Sequence, residues 1–245
     1  MTLVRRTLLT LCALTLAWPA LAGDAPEPAP DDWFPGEFSG NVTLISDYIF
    51  RGVSQTRESF ALQAGIDWSH DSGIYAGVWG SSISFAEEDN TFLEQDAYVG
   101  YAGEIGKFSY DLAAIFFYYP KENDFNYWEF ALNTGYDLGF SAVSFGILWS
   151  PSYFGTLDDG IYVSTGVNVP FPIDIPYGFD LALDVTFGYT KTDEVIFTDD
   201  DYIDWSVGLV VGLPKGFSLD LRYHDTDVQQ DIADARFVGG LTFSF

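Results

Sequence analysis

The sequence predicts an all-β chain: a transmembrane antiparallel up-and-down β-barrel of about 12 strands, with N- and C-termini periplasmic. Three observations predict it. Beyond the N-terminal segment, apolar residues recur with period two, in segments of about ten residues separated by turns. Aromatic residues make up 18% of the 245-residue chain and hydrophobic residues 48%, yet no stretch after that segment approaches the roughly 20 apolar residues of a membrane helix. The connections also alternate, short and Gly- or Pro-rich, then longer and acidic, as short periplasmic turns and external loops do. A soluble β-sandwich would alternate within its strands too. It would have little reason to alternate its loop lengths or to place aromatic residues near strand ends.

Residues 1–22 read as a signal peptide that is removed: Arg5 and Arg6, an apolar run from Thr7 to Trp18, and a small-x-small end at Ala20-Leu21-Ala22. The run is too short to span a bilayer comfortably. Leu11 precedes Cys12 where lipid attachment would want a small residue, and no cysteine follows. Residues 23–36 form a flexible Pro-rich periplasmic lead-in, and 37–245 a single outer-membrane β-barrel. Without the first 22 residues, eight bases stand against 36 acids. Nucleic acid and anionic lipid are therefore poor partners.

The first segment, about 38–50, sets Phe38, Val42, Leu44, Tyr48 and Phe50 against Ser39, Asn41, Thr43, Asp47 and Arg51. The second, about 58–69, sets Phe60, Leu62, Ile66 and Trp68 against Gln63 and Asp67, and ends in the tight turn His70-Asp71-Ser72-Gly73. The third, about 74–85, is apolar in both phases, so its faces stay open. The fourth (about 92–102) opposes Leu93, Ala97, Val99 and Tyr101 to Glu94 and Asp96. The fifth (about 107–119) opposes Phe108, Leu112 and Phe116 to Ser109 and Asp111. The sixth (about 127–137) opposes Trp128, Phe130, Leu132 and Tyr136 to Glu129, Asn133 and Asp137. The seventh (about 140–150) presents Val143, Phe145, Ile147 and Trp149, and the eighth (about 160–169) sets Ile161, Val163 and Val167 against Ser164 and Asn168. The ninth, about 179–191, is the cleanest: Leu181, Leu183, Val185, Phe187 and Tyr189 alternate with Asp180, Asp184, Thr186 and Thr190. The tenth (about 202–213) sets Ile203, Trp205, Val207 and Leu209 against Asp204 and Ser206. The eleventh (about 217–224) sets Phe217, Leu219, Leu221 and Tyr223 against Asp220, Arg222 and His224. Trp68, Tyr101, Tyr118, Trp128, Tyr136, Trp149, Tyr189 and Tyr223 lie where interfacial girdles form.

The twelfth segment, "RFVGGLTFSF", ends the chain on Phe237, Leu241, Phe243 and Phe245 in one phase. A closed barrel needs its last strand to pair with its first, because an open edge is not tolerated in hydrocarbon. This pattern resembles the C-terminal signal of bacterial outer-membrane proteins, and the resemblance implies recognition by the barrel assembly machinery. A second resemblance lies in "NVTLISDYIFRGVSQT" (Asn41 to Thr56) and "LQAGIDWSHDSGIYAGVWGSSISF" (Leu62 to Phe85). The S-D-Y-x-F-R-G-x-S-Q and S-G-x-Y-A-G-x-W-G-S runs resemble the TorF-type porins, a proteobacterial family of outer-membrane proteins. The resemblance covers roughly the first quarter of the exported chain. It implies an outer-membrane barrel of porin type and supplies no substrate.

Catalytic patterns are sparse. The only histidines are His70, in a predicted periplasmic turn, and His224, on the lumen phase with Arg222. No Gly-rich phosphate loop, cysteine pair or His cluster with metal spacing occurs. The acidic runs Thr198–Tyr202 and Leu157–Gly160 do not follow a twelve-residue calcium loop and read as solvated. No catalytic residue, cofactor or metal is expected. The lumen phase carries Asp47, Arg51, Asp67, Glu94, Asp96, Asp111, Glu129, Asp180, Asp184, Asp204, Asp220, Arg222 and Arg236. Charges at membrane depth persist only facing water or one another. Arg51, Arg222 and Arg236 are expected to be held by carboxylates across the first and last strands, with water satisfying the rest. Barrels of about eight strands are filled and those of 16–18 open, so 12 lies between.

These features point to a porin-like channel for passive diffusion of small solutes or ions, weakly cation-selective. A closed structural or adhesive barrel is the alternative; a lipid-modifying enzyme is disfavoured by the histidine count. The acidic connections, Glu87, Glu88 and Asp89 among them, would face lipopolysaccharide, whose phosphates divalent ions could bridge to them.

Overall fold

The computed structural model describes residues 35–85, 91–155, 158–172, 178–197 and 199–245. The signal segment, most of the lead-in, Glu87, Glu88, Asp89, Leu157 and Thr198 lie outside the described residues.

The described chain is antiparallel throughout. β1 spans Glu37–Ile45, and two short strands follow, β2 (Ile49–Phe50) and β3 (Val53–Ser54). Next come β4 (Ala61–Ser69), β5 (Ile74–Ser82), β6 (Leu93–Ile105), β7 (Phe108–Tyr118), β8 (Tyr127–Asp137) and β9 (Ala142–Ser150). The last five are β10 (Gly160–Pro170), β11 (Asp180–Thr192), β12 (Asp201–Gly212), β13 (Phe217–Thr226) and β14 (Arg236–Ser244). All except β2 and β3 belong to one closed 12-strand barrel, each paired with its chain neighbours, and β1 pairs with β14 to close it. At the seam Val42 lies opposite Phe243 and Leu44 opposite Leu241. Gly40 N donates to Phe245 O at 2.9 Å, and Phe245 N donates to Gly40 O at 3.0 Å. No hydrocarbon-facing edge is left.

The outward phase is apolar. Phe38, Leu44, Ile66, Val78, Val99, Leu132 and Leu241 are among its exposed large side chains. Such a belt on an isolated barrel is a lipid-facing surface. Aromatic contacts ring it at two levels. At the end bearing the long connections, Phe116 meets Trp128, Phe130 meets Trp149 and Trp205 meets Tyr223; at the short-turn end, Phe217 meets Phe243. Among the described residues no helix is long and apolar enough to cross a membrane. The crossing is made by strands.

Two expectations change. β5 has a definite orientation: Tyr75, Gly77, Trp79 and Ser81 point inward, with Trp79 and Ser81 buried, while Val78 is exposed. Its inner face is aromatic because Trp79 packs edge-on against Tyr48, centroids 5.6 Å apart. The predicted strand 38–50 is the larger correction. It ends at Ile45, and the chain then leaves the barrel wall and turns into the lumen. Tyr48 is therefore buried inside rather than sharing the lipid face of Phe38, and "RGVSQTRE" contributes an internal hairpin rather than an external loop.

Candidate functional site

The inward segment is built around a two-residue turn. Ile49 faces Ser54 and Phe50 faces Val53 across β2 and β3, with Arg51 (φ 49°) and Gly52 (φ 81°) between them. Two consecutive positive φ values make the type I′ turn, whose twist matches that of its strands. Gly52 is required for a second reason. A Cβ there would lie 2.8 Å from Asp204 Cβ and 3.0 Å from Thr226 Cβ, so the hairpin tip is pressed against the wall of β12 and β13.

Asp47 holds the hairpin in shape. Its Oδ1 accepts from Ser54 Oγ (2.6 Å) and Thr56 Oγ1 (2.7 Å), and its Oδ2 from Arg236 Nη1 (3.0 Å) on β14. Tyr48 donates to Glu94 Oε1 at 2.8 Å, while Tyr119 donates to Glu94 Oε2 at 2.6 Å. Gln55 O accepts from Ser84 N at 2.8 Å. Val53 packs with Tyr202, Val228 and Ala233, so the connections β11–β12 and β13–β14 cover the hairpin from outside.

Arg51 crosses the lumen at the tip. Its Nη2 donates to both carboxylate oxygens of Glu129 on β8, at 2.7 and 2.8 Å. Its guanidinium carbon lies 4.4 Å from the Tyr162 ring centroid, 4.6 Å from Phe50 and 5.4 Å from Tyr153, within cation–π range of all three. Burial works against the charge of Arg51, and the Glu129 carboxylate opposes that effect. Around this pair Phe117 stacks on Tyr127 with centroids 4.4 Å apart, and Ile115, Leu148, Tyr119 and Tyr153 complete an apolar plug.

Toward the short turns the inward side chains form polar pairs. Tyr75 donates to Asp111 at 2.6 Å and Tyr98 donates to Asp67. Arg222 grips Asp220 through Nε and Nη2 and Asp184 through Nη1 at 2.7 Å. Asp180 sits exposed at the rim. Asp96 is 2% exposed, and neither carboxylate oxygen has a hydrogen-bond partner among the described residues.

The pairing of the three arginines differs from expectation. Arg236 does bridge the last strand to Asp47 beyond the first. Arg222 instead turns to β11 and its own strand, and Arg51 reaches the far wall. Tyr119, Tyr127 and Tyr162 share the lumen phase of Asp111, Glu129 and Ser164, but nothing in the pattern marks them as meeting across the lumen; Tyr153 lies in a connection and has no phase. One partial signal was present: Gly52 supplies the second positive φ that a type I′ turn needs, although Arg51 stands where Asn, Asp or Gly is usual. His70 Nδ1 lies 2.9 Å from Ser72 Oγ within the β4–β5 turn, and His224 lies inside opposite Ser206 and Arg236. Among the described residues no group of His, Cys, Asp and Glu is arranged to hold a metal.

The barrel is similar to those of solved porins. A KdgM porin in complex with disordered oligogalacturonate superposes with a TM-score of 0.58 at 11% identity, covering 84% of this chain and 99% of that one. A NanC porin gives 0.53 at 10% identity, covering 85% and 99%. At such identities the likeness establishes the fold. No curated protein matches the chain. The sequence from residue 31 to 241 matches the model of a bacterial protein family of unknown function, Gcw_chp, and the chain belongs to that family.

Proposed function

We propose that this protein is a Gram-negative outer-membrane channel for passive diffusion of small solutes, weakly cation-selective and restricted by its own inward hairpin. Residues 1–22 direct export and are removed. The short turns then face the periplasm and the acidic connections the exterior, toward lipopolysaccharide. One observation carries the reading: carboxylates far outnumber bases on the inner wall of a closed barrel. Asp67, Glu94, Asp96, Asp111 and Asp204 form no ion pair among the described residues, whereas every inward arginine is paired. Acid-lined lumens concentrate cations and repel anions. An anionic chain such as the oligogalacturonate of the KdgM complex would therefore be a poor solute here.

The test is a reversal potential for the refolded protein in a planar bilayer under a KCl gradient. Cation preference is expected. It should weaken with salt as the Debye length falls from about 10 Å at 0.1 M to about 3 Å at 1 M. Anion preference, or selectivity independent of salt, would overturn the electrostatic account. The filled plug favours a second reading, a closed structural barrel. That reading predicts no conductance even after residues 47–56 are replaced by a short glycine-serine link.

A further inference from the structure

Most of the groups that surround the Arg51 guanidinium lie outside the hairpin that carries it. Of the groups around the Arg51 guanidinium, only Phe50 belongs to the hairpin. Glu129 comes from β8, Tyr162 from β10, and Tyr153 from the connection between β9 and β10. These three are all buried, at 1%, 8% and 2% exposure. They remain if the hairpin leaves: one carboxylate and two aromatic faces, a combination that recognises a planar or alkylated organic cation better than a small hydrated ion.

A second observation points to a ligand. Asp204 is 7% exposed, lies against the hairpin tip and receives the Tyr162 hydroxyl on Oδ1 at 3.4 Å; its Oδ2 has no hydrogen-bond partner among the described residues. The buried Tyr127 hydroxyl likewise has none. A free cation, unlike a tethered arginine, is not held in one orientation toward these groups. The tether also carries strain, because Arg51 is a non-glycine residue at positive φ. That strain opposes docking of the hairpin and does not burden a free ligand.

We propose that Glu129, Tyr153 and Tyr162, with Asp204 beside them, form a site for an organic cation of the guanidinium class. Arg51 fills it as an internal ligand, and exchange with such a cation in solution releases the hairpin. The channel reading supplies the consequence of release, but the site is testable without it.

The experiment is thermal unfolding of the full chain carrying Arg51→Gly in detergent micelles. Methylguanidinium chloride or KCl is titrated at constant ionic strength. Methylguanidinium should raise the midpoint with half-saturation at about tenfold lower concentration than potassium. The rise should vanish in Arg51→Gly/Glu129→Gln. Equal responses to the two cations, or a response that persists without Glu129, would overturn the proposal. Should Arg51→Gly not fold, the otherwise unchanged chain carrying Val53→Cys serves: methylguanidinium should speed thiol labelling of the hairpin and potassium should not. Labelling indifferent to methylguanidinium would overturn the proposal equally. Binding retained without conductance in any variant would defeat the channel reading and leave the site; conductance without selective binding would do the reverse.

Discussion

At the scale of single residues, Arg51 is the most consequential side chain, because it is charged and buried and depends on one carboxylate. Removing one partner of such a pair leaves an uncompensated charge, which costs about 3–5 kcal/mol, whereas replacing both with apolar or neutral groups is often neutral. Glu129→Gln should therefore destabilise the barrel by about that amount in urea unfolding from lipid vesicles. Arg51→Met combined with Glu129→Gln should recover most of the loss. A double variant whose cost is the sum of the two single costs would show that the pair is not coupled. Gly52 is the second sensitive position: both its φ and the nearness of Asp204 and Thr226 exclude a Cβ. Gly52→Ala should unseat the hairpin while leaving the barrel closed. Trypsin would then cut after Arg51 in the folded protein, and wild type, with Arg51 9% exposed, should resist.

At the scale of elements, the barrel strands and the hairpin obey different rules. A strand between lipid and lumen must alternate, so β11 shows Leu183 and Val185 outward and Asp184 and Thr186 inward, with Thr186 hydrogen-bonded to Ser206 at 2.6 Å. Leu183→Arg should cost about 2–4 kcal/mol of barrel stability near mid-bilayer, and Thr186→Arg clearly less. Equal costs in the same unfolding measurement would reverse the assigned faces. The hairpin β2–β3 is buried on all sides and has no such constraint. Its alternation happens to run on from β1, which is why 38–50 reads as one strand. β5 misleads in the opposite way: its inner face meets the plug, so apolar residues occupy both phases, Tyr75 and Trp79 inside and Ile74 and Val78 outside.

At the scale of the whole molecule, closure is the decisive event. The seam of β1 and β14 ends in the reciprocal Gly40–Phe245 backbone bonds, and the Phe245 ring packs against Gly40, where a Cβ would lie 2.7 Å from it. Deleting Phe245 removes both bonds and the aromatic end of the expected assembly signal. Outer-membrane levels of the truncated protein, read by membrane fractionation, should fall well below wild type. Normal levels would argue that neither the seam bonds nor the signal needs this residue. The plug adds a second kind of closure, across the lumen rather than around the wall, and it joins β8, β10 and β12 to the segment after β1.

The sequence by itself determined that this chain is a barrel, with about 12 strands, short turns at one end, and inward and outward faces for nearly all of them. It could do so because the bilayer imposes a local rule: each residue in a strand meets either lipid or lumen, and the neighbours in the chain reveal which. Asp67, Asp111, Asp184, Asp220 and Arg222 were placed inside by phase alone. Only the tertiary structure decided which of them meet. Strand tilt and stagger determine which inward residues come level across the lumen, so Arg51 finding Glu129, and Tyr48 and Tyr119 converging on Glu94, depend on positions far apart in the chain. The inward turn of 46–56 was not legible either, because a segment that enters a lumen is held by contacts on every side and its alternation, continuous with that of β1, does not mark a lipid face.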